Sequence, residues 1–564
     1  MTQRTLLQRA LAATSQPLHT PQAAIFARRC ASPDDESRAT ASCTVGSDYA
    51  CARLAMPPRW GQLQAAPARS PSKFSQMSPH ASQNGKLTEG PIARTLLLFS
   101  LPILGSNVLQ SLNASVNAVW IGHFLGEAAL TAVSNANLVL FFLLGVVFGI
   151  SMANTILVGQ AVGSRDITQA KRVVGTSTGF FVVLSVTVAV LGYAFTADIL
   201  GAMGTPADAL PYASAYLRVI FMALPAMYGY SFLMMTLRGT GDARTPFFFM
   251  LGSVGLDIVL NPLLIFGLGP VPALGIAGSA LATLIAQTAA LAGLVAWLYH
   301  RKHFLGLYRG EWHFLKPQLV LLRALVVKGL PMGLQMVVIA SSALVMISFV
   351  NAYGSQTTAA YGAAAQLWTY IQMPSLAVGA AVSSMAAQNV GAQRWDRIAR
   401  ITTVGVVYNF VLTGVLVAAV YLFSRFAVGI FLPGDSVAIG IAQHLNAIVV
   451  WSFLFFGLSF VLFGVVRATG AVLPPLIILA IALWFVRVPF AWLLRDTWGA
   501  DAVWWSFPLG SLVAMTLAAA YYRWGNWRHA SMLGDASQQA ASTGLDVPAT
   551  ALRAWRKSGT NEVD

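Results

Sequence analysis

Apolar residues in this chain do not alternate with polar ones; they run together in blocks of twenty or more, separated by short polar stretches. Twelve such blocks follow one another from residue 92, near 92–119, 132–158, 173–197, 212–236, 247–267, 276–299, 324–350, 360–387, 402–424, 440–466, 474–494 and 502–523. About 20 apolar residues in a helix cross a hydrocarbon core of about 30 Å. In lipid an open backbone group has no partner, so spanning segments are helices or closed barrels. The pattern therefore predicts an all-α integral membrane protein with twelve transmembrane helices. Only one carboxylate, Asp257, falls near the middle of any block.

Composition agrees. The 564 residues are 56% hydrophobic and 10% charged, whereas soluble domains carry about 25% charged residues. The net charge of +15 does not point to nucleic acid, because the basic residues sit in the tails and in alternate short loops. One loop set carries Arg165, Lys171 and Arg172, then Arg238 and Arg244, then Arg301 through Lys328, then Arg394, Arg397 and Arg400, then Arg467, and finally Arg523 and Arg528. The opposite set offers Arg218, Arg425 and Arg495. This bias places the first set and both termini in the cytoplasm, and the chain in the cell's inner (plasma) membrane. The three cysteines, Cys30, Cys43 and Cys51, precede the first block, so neither a disulfide framework nor a metal centre is expected in the membrane body.

Residues 1–85 are rich in Ser, Ala, Pro, Gln and Arg and contain no block of spanning length. Two readings stand for them: a disordered basic tail, or a start-site artefact upstream of Met77. Beyond them the sequence repeats at an offset of about 228. Leu101-Pro102 recurs as Leu330-Pro331, and Gln160-Ala-Val-Gly163 as Gln388-Asn-Val-Gly391. Arg238-Gly-Thr-Gly241 recurs as Arg467-Ala-Thr-Gly470, and Asn261-Pro262 falls opposite Val488-Pro489. Six spans per half is an even number, so both halves share one orientation and form a parallel repeat. The expected organisation is a six-helix lobe at 86–300, a basic linker at 301–323, a second six-helix lobe at 324–523 and a tail at 524–564. Two lobes flanking a central cavity suit alternating access.

These residues resemble the multidrug and toxic compound extrusion (MATE) family of transporters over roughly Leu87 to Tyr522. The resemblance is carried by Leu101-Pro102 and Ser115-Val-Asn-Ala-Val-Trp-Ile-Gly122, and by Gly159-Gln-Ala-Val-Gly163. Tyr216-Leu-Arg218, Leu237-Arg-Gly-Thr-Gly-Asp242 and Leu256-Asp-Ile-Val-Leu-Asn-Pro-Leu-Leu-Ile-Phe-Gly267 complete it. It implies twelve helices in two bundles and export of organic cations against inward proton or sodium flow. It also exposes two departures. Asn117 stands where many members have a first-helix aspartate, and Asp257 then Asn261 reverses their Asn-then-Asp order. Positions i and i+4 share one helix face, so the reversal keeps an acid and an amide together. With one acid fewer to hold a bare cation, protons are favoured over sodium as the coupling ion.

The candidate coupling site is Asp257, Asn261 and Asn117, with Asn113 one turn before Asn117. An intramembrane carboxyl is a functional candidate by default; a hydrogen-bonded structural carboxyl is the competing reading. Burial disfavours the charged form of a carboxyl, which suits Asp257 to taking up and releasing a proton. Pro262 lacks an N–H and clashes with the carbonyl of Ile258, so a kink is expected there. Trp120, Gln335, Tyr361, Gln366, Trp368, Tyr370 and Met373 are candidates to line a substrate cavity, since ring faces attract cations and methionine repacks around varied ligands. Arg487, deep in a span, reads either as a structural charge snorkelling or held by carbonyls, or as a gating charge.

No ATPase signature appears, so the energy must come from an ion gradient. His300-x-x-His303 has no companion ligands, so no metal site is expected there, and Gly145-x-x-x-Gly149 reads as close helix packing. The overall reading is a secondary antiporter, a monomer in the lipid bilayer, with small organic cations as its partners and no cofactor. A lipid-linked saccharide flippase is the nearest rival, but it should show several deep basic residues. A membrane-embedded transferase, the rival from another class, should show clustered His, Asp or Glu.

Overall fold

The computed structural model describes residues 87–125, 127–267, 272–432 and 437–533. The proposed N-terminal tail and residues 534–564 of the C-terminal one lie outside that range. The described residues are helical throughout, with no strand among them. In chain order the long helices are α1 Ile92–Leu125, α2 Glu127–Gly163, α3 Ile167–Ala194, α4 Leu210–Thr240, α5 Arg244–Phe266 and α6 Ile276–His300. The second half follows with α7 Leu319–Asn351, α8 Ser355–Gly391 and α9 Trp395–Leu422. Helix α10 is broken into Val437–Val449 and Ser452–Thr469. Helix α11 spans Leu473–Trp498 and α12 spans Ala500–Trp524.

Eleven of these are long and apolar enough to cross a bilayer. The twelfth, α8, is long but polar along much of its length, with Gln356, Gln366, Gln372, Ser383, Ser384, Gln388 and Asn389. Much of α8 is buried within the protein, so its polar groups meet protein rather than lipid, which is where such residues are tolerated.

The repeat is visible in the packing. Helix α4 lies against α2, α3 and α6, and α10 lies against α8, α9 and α12 in the same relation. Helices α5 and α6 pair as α11 and α12 do, and α1 meets α5 as α7 meets the start of α11. The stop signals match too. Gly241 ends α4 at φ 94° and Gly470 ends α10 at φ 105°, a left-handed conformation that glycine adopts without a Cβ penalty.

The two halves meet tightly. A Cβ on Gly149 would stand 2.2 Å from the backbone nitrogen of Gly333, and one on Gly329 would stand 2.7 Å from the Cα of Ile150. Here α2 and α7 approach backbone to backbone, which only small residues permit. Nearer the basic end, Gly163 faces the carbonyl of Gln388 and Gly391 faces the carbonyl of Gln160. The glutamines themselves cross over. Gln160 Nε2 donates to the Ala468 carbonyl at 2.8 Å, and Gln388 Nε2 donates to the Gly239 carbonyl at 2.9 Å. Residues 87–90 fasten to the opposite lobe at the same end, with Asn389 donating to the Leu87 carbonyl and Arg394 to that of Thr88.

Arg238 and Arg467, read from the sequence as loop charges, are instead buried in the last turns of α4 and α10. The expected linker is ordered against the first lobe. Its 3-10 turn Arg309–Leu315 lies on α3, where Lys171 pairs with Glu311 and the Phe314 carbonyl crowds Gly175.

Candidate functional site

Helix α5 presents Asp257 to α1 and α6. Its carboxylate is 2% exposed and takes three hydrogen bonds. Asn113 Nδ2 donates to Oδ2 at 2.8 Å, Asn117 Nδ2 to the same oxygen at 3.1 Å, and Thr283 Oγ1 to Oδ1 at 3.2 Å. Asn261, one turn on, donates its Nδ2 both to Asn117 Oδ1 and to the Asp257 carbonyl, each at 2.9 Å. Among the described residues no Lys, Arg or His forms an ion pair with Asp257. The hydrogen bonds to this buried carboxylate thus come from neutral side chains.

The network has spare capacity of one kind. The side-chain oxygens of Asn113 and Asn261 are buried with no hydrogen-bond partner, so what is left over here accepts hydrogen bonds. Thr283 also has a second acceptor available, the Ser279 carbonyl at 3.4 Å. If Asp257 is protonated on Oδ1, the hydroxyl of Thr283 can turn to Ser279 and accept the new proton through its lone pair. Both protonation states then fit without moving heavy atoms far.

The structure thus brings Asp257, Asn261, Asn117 and Asn113 together. Thr283 joins them without having been singled out, because a threonine in an apolar helix gives no distinctive sequence signal. Pro262 lies inside an α5 that stays helical from Arg244 to Phe266, so it does not end the helix.

The cavity candidates separate into different places. Trp120, half-buried, stacks on Phe124 and meets Phe266 in the first lobe. Gln335 is buried and accepts a hydrogen bond from Arg467 at 3.1 Å. Gln366 is exposed, Tyr370 half-buried and Met373 buried. Tyr361 and Trp368 meet edge to face at 5.6 Å in the second lobe, each beside Phe507. Trp368 Nε1 donates to Asn446 Oδ1 at 2.9 Å. Arg487 joins this group, its guanidinium carbon 3.5 Å from the centre of the Phe507 ring. Asn446 and Phe507 were not anticipated, since neither stands out in an apolar block.

A family model described as MatE matches residues 102–263 and 331–493, one match per lobe. The probable multidrug resistance protein YoeA of Bacillus subtilis (strain 168) is 38% identical over 440 residues, covering 78% of this chain and 95% of that one. The multidrug export protein MepA of Staphylococcus aureus (strain NCTC 8325 / PS 47) is 25% identical, covering 76% and 92%. A crystal structure of MATE in the straight conformation superposes with a TM-score of 0.73 at 21% identity, over 81% of this chain and 99% of that chain. That likeness bears on the fold, and the fold is the same twelve-helix, two-lobe plan.

Proposed function

The chain belongs to the MATE family of multidrug efflux transporters, and on that premise we propose that it exports amphipathic organic cations in exchange for protons. It is a transporter, not an enzyme. The export names of its relatives support small-molecule cargo, and the loop charges support a plasma-membrane location with both termini cytoplasmic. The observation that carries the coupling is Asp257: buried, without a cationic partner among the described residues, and held by groups that can serve either protonation state.

Protons suit this site better than sodium. Asn113 and Asn117 turn their N–H groups, not their oxygens, toward Oδ2, and Asn117 Oδ1 already accepts from Asn261. A bare cation on Oδ2 would have to displace both N–H groups. A proton needs only the Thr283 hydroxyl to turn. Once Asp257 is neutral, Asn113 and Asn117 donate to a carbonyl-like oxygen instead of a carboxylate, and those bonds weaken by roughly half. The α1–α5 contact loosens on protonation and tightens on release. That difference between states is what a coupled conformational change requires. With the lobes closed at the basic end, protonation from the opposite side biases the first lobe toward releasing drug there.

Asp257→Asn keeps the shape of the side chain and removes its titration. Purified wild-type protein should release protons when drug is added, and the variant should not. In everted vesicles, collapsing the pH gradient should stop dye efflux while collapsing the sodium gradient leaves it running. Wild-type efflux by Asp257→Asn under a pH gradient would make Asp257 a structural carboxyl and end the proposal.

A further inference from the structure

The second lobe holds a buried charge that the coupling mechanism leaves unused. Arg487 closes a π-helical stretch, Ile481–Arg487, inserted between α-helical segments of α11. Such wide turns recur at functional sites. The residue is 8% exposed, and its Nε and Nη2 are buried with no hydrogen-bond partner. Among the described residues no carboxylate forms an ion pair with it. The Phe507 ring beneath the guanidinium supplies a cation–π contact, which leaves the in-plane N–H groups unsatisfied. Gly510, one turn after Phe507, makes room for the stem: a Cβ there would lie 3.3 Å from Arg487 Cβ and 3.5 Å from its Cδ.

The two free nitrogens are chemically specific. Nε and Nη2 form one edge of the guanidinium, the fork that grips a carboxylate with two parallel hydrogen bonds. Trp368 packs on the same Phe507 ring at 5.1 Å, and Tyr361 lies beside both. Asn446 gives its oxygen to the Trp368 indole and leaves its Nδ2 buried and unpartnered. Every unsatisfied atom around this aromatic group is thus a donor, whereas the unsatisfied oxygens beside Asp257 are acceptors. The repeat has built two sites of opposite polarity.

We propose that the second lobe binds a ligand carrying an anionic group on an aromatic body. Its carboxylate pairs with the guanidinium of Arg487, whose buried Nε and Nη2 have no other partner, and its ring lies beside the aromatic group of Phe507, Trp368 and Tyr361. This site is separate from the proton-coupling site, and its occupancy does not depend on transport.

The test uses the full chain in lipid nanodiscs and equilibrium dialysis with 2-naphthoate, its neutral amide 2-naphthamide and the cation 2-naphthylmethylammonium. Wild type should bind the carboxylate at least about tenfold more tightly than the amide, the scale of a hydrogen bond to a charged group. Arg487→Gln should lose that margin while binding the amide unchanged. Arg487→Lys, which keeps the charge but lacks the fork, should fall between them. Asp257→Asn should bind 2-naphthoate as wild type does, which separates this site from the coupling reading. Equal wild-type affinity for acid and amide overturns the proposal, and that comparison requires no variant to fold. So does undiminished carboxylate binding in Arg487→Gln, or preference for the cation at this site.

Discussion

Replacing Gln160 and Gln388 together by alanine removes the crossed pair of hydrogen bonds at the basic end while leaving each lobe's own packing intact. Each glutamine reaches from one lobe to a backbone carbonyl that ends a helix of the other, at 2.8 and 2.9 Å. A buried hydrogen bond contributes about 1 kcal/mol net, so the double substitution should cost the closed arrangement about 2 kcal/mol. Both glutamines are free to bind water once the lobes part, so the loss falls on one conformation only. Two kcal/mol corresponds to roughly a 30-fold change in the ratio of closed to open molecules. Gly163→Ala should act more strongly. Its Cβ would stand 1.9 Å from the Gln388 carbonyl oxygen, a separation the closed state cannot keep.

Spin labels on cysteines introduced at Thr168 and Asp396 would report on this end. The two sites are exposed repeat equivalents at the starts of α3 and α9, and Cys30, Cys43 and Cys51 would be replaced by serine. A second pair at Asp208 and Val437 would report on the opposite end. In the double alanine variant the first distance should lengthen and the second shorten together. A first-pair distribution that matches wild type, or changes without the second pair responding, would show that the glutamines do not hold the lobes closed.

Two further expectations concern folding and the linker. Gly457→Ala should lower the thermal midpoint of the detergent-purified protein by several degrees, because its Cβ would meet Asn409 Nδ2 at 2.1 Å and Ser375 Oγ at 2.4 Å; overpacking of this kind costs about 1–3 kcal/mol, and an unchanged midpoint would contradict the crowding. Gly175→Ala should lift the linker from α3 by pressing on the Phe314 carbonyl, 2.3 Å from the new Cβ, and expose residues 301–316 to trypsin. Glu311→Gln, which weakens only the partly exposed pair with Lys171, should leave cleavage nearly unchanged, since such pairs contribute under about 1 kcal/mol.

How much of this was legible depended on whether a signal was periodic or positional. Block length, loop charge and recurring motifs are read along the chain, so the twelve spans and the two-lobe repeat follow from them, and the break within α10 and the π stretch in α11 do not. The polar helix α8 illustrates the limit: the apolar block at 360–387 marks it as a span, yet its many polar residues keep it below the hydropathy of the other eleven, and only the fold shows that those residues face protein. Asp257 announced itself because a charge in an apolar block is costly. Thr283 could not, because a hydroxyl in such a helix usually bonds its own backbone, and only the fold shows it also reaching an acid on α5. Gln335 shows the same limit from the other side: nothing in the sequence signals that its Oε1 accepts from Arg467, which reads as a loop charge and is buried, while its Nε2 keeps no partner.

Arg467 and its repeat partner Arg238 sharpen what the crossed glutamines do. Both arginines are buried in the turns that offer the clasped carbonyls, the carbonyls of the residues next to them, Ala468 and Gly239. Their guanidinium groups meet different partners: Arg467 binds Gln335 on α7, while Arg238, among the described residues, meets the sulfurs of Met234 and Met235 within its own helix. The second lobe therefore ties its clasp to α7, the helix whose Gly329 and Gly333 abut α2, and among the described residues the first lobe shows no matching tie. A motion that parts Gln388 from Gly239 disturbs one helix end. A motion that parts Gln160 from Ala468 acts on a turn braced against α7. Separating the single variants in the spin-label experiment should reveal this asymmetry, with Gln160→Ala opening the basic end less than Gln388→Ala. Equal opening by the two would mean that the Arg467–Gln335 contact adds nothing to closure.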